Sequence, residues 1–149
     1  MAKKFDFRLD SVLRLNTHKV KIAEESLMEI VNIRTAKERR EEELTLYLAG
    51  LRAREFKSAN AGELQAHYYH IASIETQVKE LRKEIGQILE LENLKRMKLT
   101  EAMKEERIME KLKEKKYEEY VRENEADDIK NLNEIASTRH YKTRKTENL

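Results

Sequence analysis

Alternating steps of four and three residues from Leu9 land on Leu13, Asn16, Val20, Ala23, Leu27, Ile30, Arg34, Lys37, Glu41, Leu44, Leu48 and Leu51. Nine of these thirteen positions are apolar. That is the period of a coiled-coil seam. Arg34, Lys37 and Glu41 are three consecutive exceptions, so the seam is expected to weaken or shift between Arg34 and Glu43. Asn16 on the seam is a polar residue of the kind that fixes register at some cost in stability. A second seam runs through Ile71, Ile74, Val78, Leu81, Ile85 and Ile88. It continues after a phase slip through Leu91, Leu94 and Leu99. Sparser positions follow at Ile108, Leu112, Tyr117, Val121, Ile129, Leu132 and Ile135.

Between the seams stands Lys57-Ser58-Ala59-Asn60-Ala61-Gly62-Glu63. Asn60 and Gly62 are the strongest turn signal in the chain, and Ser58 or Asn60 is placed to cap the next helix. The pattern predicts an all-α fold, a long antiparallel two-helix coiled-coil hairpin forming one domain over residues 1–149. Its first helix covers about 6–57, the turn about 58–62 and the second helix about 63–138. A polar tail, 139–149, is expected to fray.

Composition supports long helices around a thin core. Charged residues make up 40%, aromatics 6%, and there are three glycines and no proline. Low hydrophobicity also fits a disordered chain, but the regular leucine and isoleucine spacing argues against it. Net charge is only +2, so the whole chain is neither a polybasic nucleic-acid binder nor an acidic tail. There is no cysteine, which excludes disulfides and thiol chemistry and suits a reducing cytosol. No apolar run approaches the ~20 residues of a membrane span. The start, Met1 to Phe7, is basic but leads into charges, unlike a signal peptide. A cytoplasmic protein beginning near residue 1 is expected.

Charge is unevenly spread. Leu44 to Leu51 carries no charge, and neither does Leu64 to Ile74. A hairpin turning near residue 60 sets these stretches side by side, with Tyr47, Tyr68 and Tyr69 facing outward. Two readings stand: a docking patch, given the aromatic enrichment of interfaces, or tighter packing near the turn. The termini are basic: Lys3, Lys4, Arg8, Arg14, Lys19 and Lys21 outnumber Asp6 and Asp10, and Arg139, Lys142, Arg144 and Lys145 outnumber Glu147. Antiparallel pairing would bring them together. Such an end suits an acidic socket, anionic lipid or nucleic acid, or is simply a solvated end.

Catalytic signals are missing. Three scattered glycines build no phosphate loop, and Gly86 marks either close packing or a weak point in the second helix. His67 and His70 sit three apart without a third ligand nearby, which is weak evidence for a metal. Glu105, Glu106, Lys111, Glu114, Lys115 and Glu118 read as a solvated face with i,i+4 pairs. No nucleophile is held by a base. No cofactor is expected, and the chain is expected not to be an enzyme.

Three stretches carry a resemblance. Phe5-Asp6-Phe7-Arg8-Leu9-Asp10-Ser11-Val12-Leu13-Arg14-Leu15 resembles the Phe-x-Phe-Arg-Leu-x-x-(Val/Leu)-Leu opening of the flagellar FliJ family. Ser58 to Gln65, then Tyr68-Tyr69, resembles that family's turn and second-helix entry. Lys111 to Tyr117, then Lys130 to Ala136 and Arg139, is similar to its Arg/Lys-Glu-Lys-Lys segment and closing Asp-Glu-(Ile/Ala)-Ala…Arg pattern, with Asn133 where an acid is frequent. The resemblance implies the central stalk of the flagellar type III export ATPase, similar to the coiled coil of a rotary ATP synthase gamma subunit. As partners it implies the ATPase hexamer, the cytoplasmic domain of the membrane export gate, and for some members export chaperones, with no nucleic acid. It also implies a peripheral location at the cytoplasmic face of the inner membrane.

By the same resemblance, the terminal end would enter the ATPase ring through Phe7, Arg8, Leu9, Leu13, Arg14, Ile135 and Arg139. The gate would meet Leu44, Tyr47, Leu48, Tyr68, His70, Ile74, Gln77 and Leu81. The equivalent stalk of a virulence secretion system or another rotary ATPase, a generic coiled-coil adaptor, and a binder of anionic surfaces remain alternatives.

Overall fold

The computed structural model describes residues 3–54 and 60–148. It is an all-α two-helix hairpin with α1 at Asp10–Ala53 and α2 at Ala61–Glu147. Ser58, the alternative cap, and the expected end of the first helix at Lys57 lie outside the described residues. Asn60 caps α2: its side-chain oxygen accepts from the Gly62 amide at 3.0 Å and its carbonyl from the Leu64 amide at 3.2 Å. Such a cap satisfies donors that a helix start leaves open.

α2 does not stop at Thr138 but runs to Glu147. No glycine or proline interrupts residues 139–147, and Arg144 and Lys145 place positive charge on the last turn, where the helix dipole favours it. The Thr143 hydroxyl donates to the Arg139 carbonyl at 2.9 Å.

The contacts divide the chain into two compact units, residues 18–102 and residues 3–17 with 103–148. In the first, α1 runs antiparallel to α2 around a core of Leu44, Leu48, Ile74 and Val78, with Leu51, Ile71 and Leu81 packed against it. Val20 is buried as well. From Leu13 to Leu51, every position of the four-three series on α1 is buried or half-buried. Arg34, Lys37 and Glu41 therefore do not mark a shift: the seam keeps its phase and is charged there.

Each of the three has an opposite charge across the seam. Arg34 Nε donates to Glu92 Oε2 at 2.5 Å, Lys37 Nζ to Glu84 Oε2 at 2.7 Å, and Arg82 Nε to Glu41 Oε1 at 2.9 Å. Glu92 is only 3% exposed and also accepts from Arg96 at 2.8 Å. This arrangement removes the expected phase slip on α2. The seam passes from Ile88 to Glu92, Lys95 and Leu99, all buried or half-buried, while Leu91 and Leu94 face solvent. A carboxylate can occupy that layer because two guanidiniums hydrogen-bond to it.

In the other unit the segment before α1 lies against α2. Phe7 is buried. The Phe5 ring sits 5.2 Å from Tyr117 and 5.4 Å from Tyr120, the first edge to face. The Tyr120 hydroxyl donates to the Lys3 carbonyl, and Lys113 Nζ donates to Asp10 Oδ1 at 3.1 Å. α1 starts at Asp10, whose amide donates to the Phe7 carbonyl at 3.0 Å, so the expected start near residue 6 moves inward. Ile108, Tyr117, Ile129, Leu132 and Ile135, expected on the seam, are exposed.

Candidate docking surfaces

The uncharged stretches beside the turn sort into two faces. Leu44, Leu48 and Ile74 are buried and Leu81 is half-buried, so these four hold the helices together. Tyr47, Tyr68, His70 and Gln77 remain on the surface. Four-three counting assigns apolar residues to a seam, but a two-helix seam takes only part of an apolar stretch. That leaves Leu46, Tyr68 and Tyr69 outside, each more than 60% exposed.

Tyr47 and His70 bridge the helices on the surface. The Tyr47 hydroxyl and His70 Nε2 share a hydrogen bond of 3.0 Å, with the rings edge to face at 5.8 Å. Gln65 Nε2 donates to the Tyr69 hydroxyl at 3.2 Å. The His67 ring stands 6.0 Å from that of Tyr68. Both histidines are thus engaged with tyrosines. Among the described residues, no group of three or more His, Cys, Asp or Glu is placed to hold a metal ion. Beyond the tyrosines, a groove of about 430 Å³ is lined by Leu48, Ala49 and Val78, with Arg52, Glu75 and Arg82 at its edge. An Arg52–Glu75 ion pair crosses it. Leu46 is the surface residue that seam counting passes over; its position between Leu44 and Leu48 is the available signal.

At the termini the predicted residues are not gathered into one cluster. Phe7 is buried and Leu13 half-buried, whereas Arg8, Leu9 and Arg14 are exposed. Arg14 Nε stands 3.6 Å from Asp10 Oδ2. Ile135 and Arg139 are exposed on α2, but not beside Phe7. The N-terminal segment reaches α2 around Leu112 to Glu123. Arg139 lies 19 residues beyond Tyr120, about 28 Å further along a helix at ~1.5 Å per residue. Pairing is set by the Asp10–Lys113 and Lys3–Tyr120 contacts, so residues 3–10 do not lie opposite Ile135 and Arg139.

The same unit contains an aromatic cluster that sequence reasoning missed. Phe5, Tyr117 and Tyr120 meet ring to ring, with Tyr117 and Tyr120 at 6.1 Å. Two tyrosines three apart on a helix share a face, and that spacing was the signal. Beside them a groove of about 730 Å³ is lined by Phe5, Phe7, Leu9 and Leu112, with Lys4 and Arg8 on its rim. It offers an apolar floor with mixed charge around it.

No helix among the described residues is long and apolar enough to cross a membrane. The family model described as flagellar FliJ protein matches residues 5–145. No curated protein and no solved structure matches the chain.

Proposed function

Since the chain belongs to the flagellar FliJ family, we propose that it is the non-enzymatic central stalk of the flagellar type III export ATPase. In this reading it binds the ATPase hexamer, promotes its assembly and turnover, and links it to the cytoplasmic domain of the membrane export gate. It acts at the cytoplasmic face of the membrane and is needed for flagellum assembly and motility. Export chaperones are further partners. The observation that carries the reading is the match of the family model over nearly the whole chain.

The structure supports it with chemically different surfaces in separate units. The unit of residues 3–17 and 103–148 carries exposed arginines at two separate places, Arg8 and Arg14 near Leu9 in the chain and Arg139 near Ile135 further along α2, and these are assigned to the ATPase. The other unit carries the tyrosine surface of Tyr47, Tyr68, His70 and Gln77, assigned to the gate. A stalk touching six near-identical subunits unequally biases their states by differential contacts, the thermodynamic requirement for influencing turnover.

ATP hydrolysis and ring formation by the cognate export ATPase, measured with and without this protein, test the reading. The native chain is expected to raise both. A variant carrying Arg8→Glu, Arg14→Glu and Arg139→Glu, all at exposed positions, is expected to stay helical by circular dichroism and lose most of the effect. If the native chain neither binds nor stimulates the ATPase, the stalk reading fails and a general coiled-coil adaptor takes its place.

A further inference from the structure

A groove of about 230 Å³ crosses the two helices of the unit 18–102 between Lys19, Ile22, Ala23 and Ser26 on α1 and Lys95 and Lys98 on α2. It is smaller than the ~300–1,000 Å³ of small-molecule sites, so it suits side chains of a docking helix better than a compact ligand. Its lining contains three cations and no carboxylate, unlike the grooves beside Arg52–Glu75 and around Phe5. None of the ion pairs among the described residues uses Lys19, Lys95 or Lys98. The floor is apolar at Ile22 and Ala23. On α2 the lysines continue the face of the exposed Leu91 and Leu94, at i, i+3, i+4 and i+7. The site therefore calls for a helix with carboxylates flanking aliphatic side chains.

The chain contains such a helix face. Glu125, Asp128, Ile129 and Leu132 follow the same i, i+3, i+4, i+7 spacing on α2 and share one face. Ile129 and Leu132 are exposed, at 60% and 65%. Glu125 and Asp128 are exposed and take part in no ion pair among the described residues. We propose that this stripe on one molecule docks into the lysine-lined groove of a second copy, its carboxylates meeting Lys19, Lys95 and Lys98 and its aliphatics covering Ile22. The contact joins two different patches, so it is heterologous. It goes beyond the stalk reading and does not depend on it.

Sedimentation velocity of the full chain over a wide concentration range tests the proposal. The native protein is expected to associate with rising concentration. Association should weaken at least about tenfold as salt rises from about 0.05 to about 0.5 M, because screening shortens the reach of exposed charges. Lys19→Glu with Lys98→Glu, or Glu125→Lys with Asp128→Lys, should each weaken it at least about tenfold with helicity unchanged, since all four positions are exposed. Mixed at equal concentration, the two variants should regain association, because the reversed stripe now fits the reversed groove. A native chain that stays monomeric, a variant that associates like the native, or a mixture that shows no gain would each overturn the proposal. ATPase stimulation is read separately, so failure of the stalk reading leaves this result standing.

Discussion

Glu92 occupies a seam position that the four-three spacing would normally fill with leucine, and it is ionised there. Its carboxyl is held below the usual range first by the hydrogen bond from Arg96 and then by that from Arg34, with burial opposing both. Arg34 is pushed up in turn, mainly by Glu92 and then by Glu38. A depressed carboxylate pKa contributes stability above the unfolded value, and that contribution is lost as pH falls through the folded value. The window therefore opens below the ordinary glutamate pKa of about 4.3. Glu92→Gln is expected to lower the melting temperature at pH 7 and to flatten the loss of stability between about pH 5 and about pH 3. Thermal melts across that range check it; a slope equal to the native one would refute the assignment. Spacing rules count apolar residues, so Arg34, Lys37 and Glu41 read as a fault in the seam. The structure shows three cross-seam ion pairs, because opposite charges pair only with partners that the one-helix pattern does not contain.

At the scale of the helices, both elements were legible: neither contains proline, and the four-three series on α1 is followed position by position from Leu13 to Leu51. The second seam was legible only to Ile88, since Glu92 and Lys95 carry it onward while Leu91 and Leu94 draw the eye off phase. Gly86 resolves in favour of a weak point. A methyl group built there meets nothing within 4 Å, so close packing does not require glycine. Gly86→Ala is then expected to stabilise the fold by about 0.5–1 kcal/mol, through lower entropy of the unfolded chain and better helix propensity. Urea unfolding followed by circular dichroism measures it; a destabilised variant would show that the glycine has a packing role after all.

For the molecule as a whole, the hairpin could be read from sequence, but the candidate surfaces only in part. Leu44, Leu48 and Ile74 fell on the predicted gate patch because apolar content alone does not say which side of a helix meets its neighbour. Phe7 and Arg139 were joined on paper because antiparallel pairing suggests meeting ends, whereas register is set by Asp10–Lys113 and Lys3–Tyr120. That register also dictates a folding order. Tyr47–His70 closes a separation of 23 residues, Glu41–Arg82 one of 41, and Asp10–Lys113 one of 103. Closing the longest loop first would cost about 1.3 kcal/mol more than closing the shortest, by the logarithmic law for flexible chains. Once the contacts near the turn exist, each further pair closes no new large loop. Folding should therefore zip outward from the turn, like a fastener with its slider at residue 60. Ile74→Ala should mainly slow refolding and Phe7→Ala mainly speed unfolding in stopped-flow experiments, and the reverse pattern would sink the zipper. With no proline and no cysteine in the chain, no isomerisation or thiol exchange is available to delay that motion.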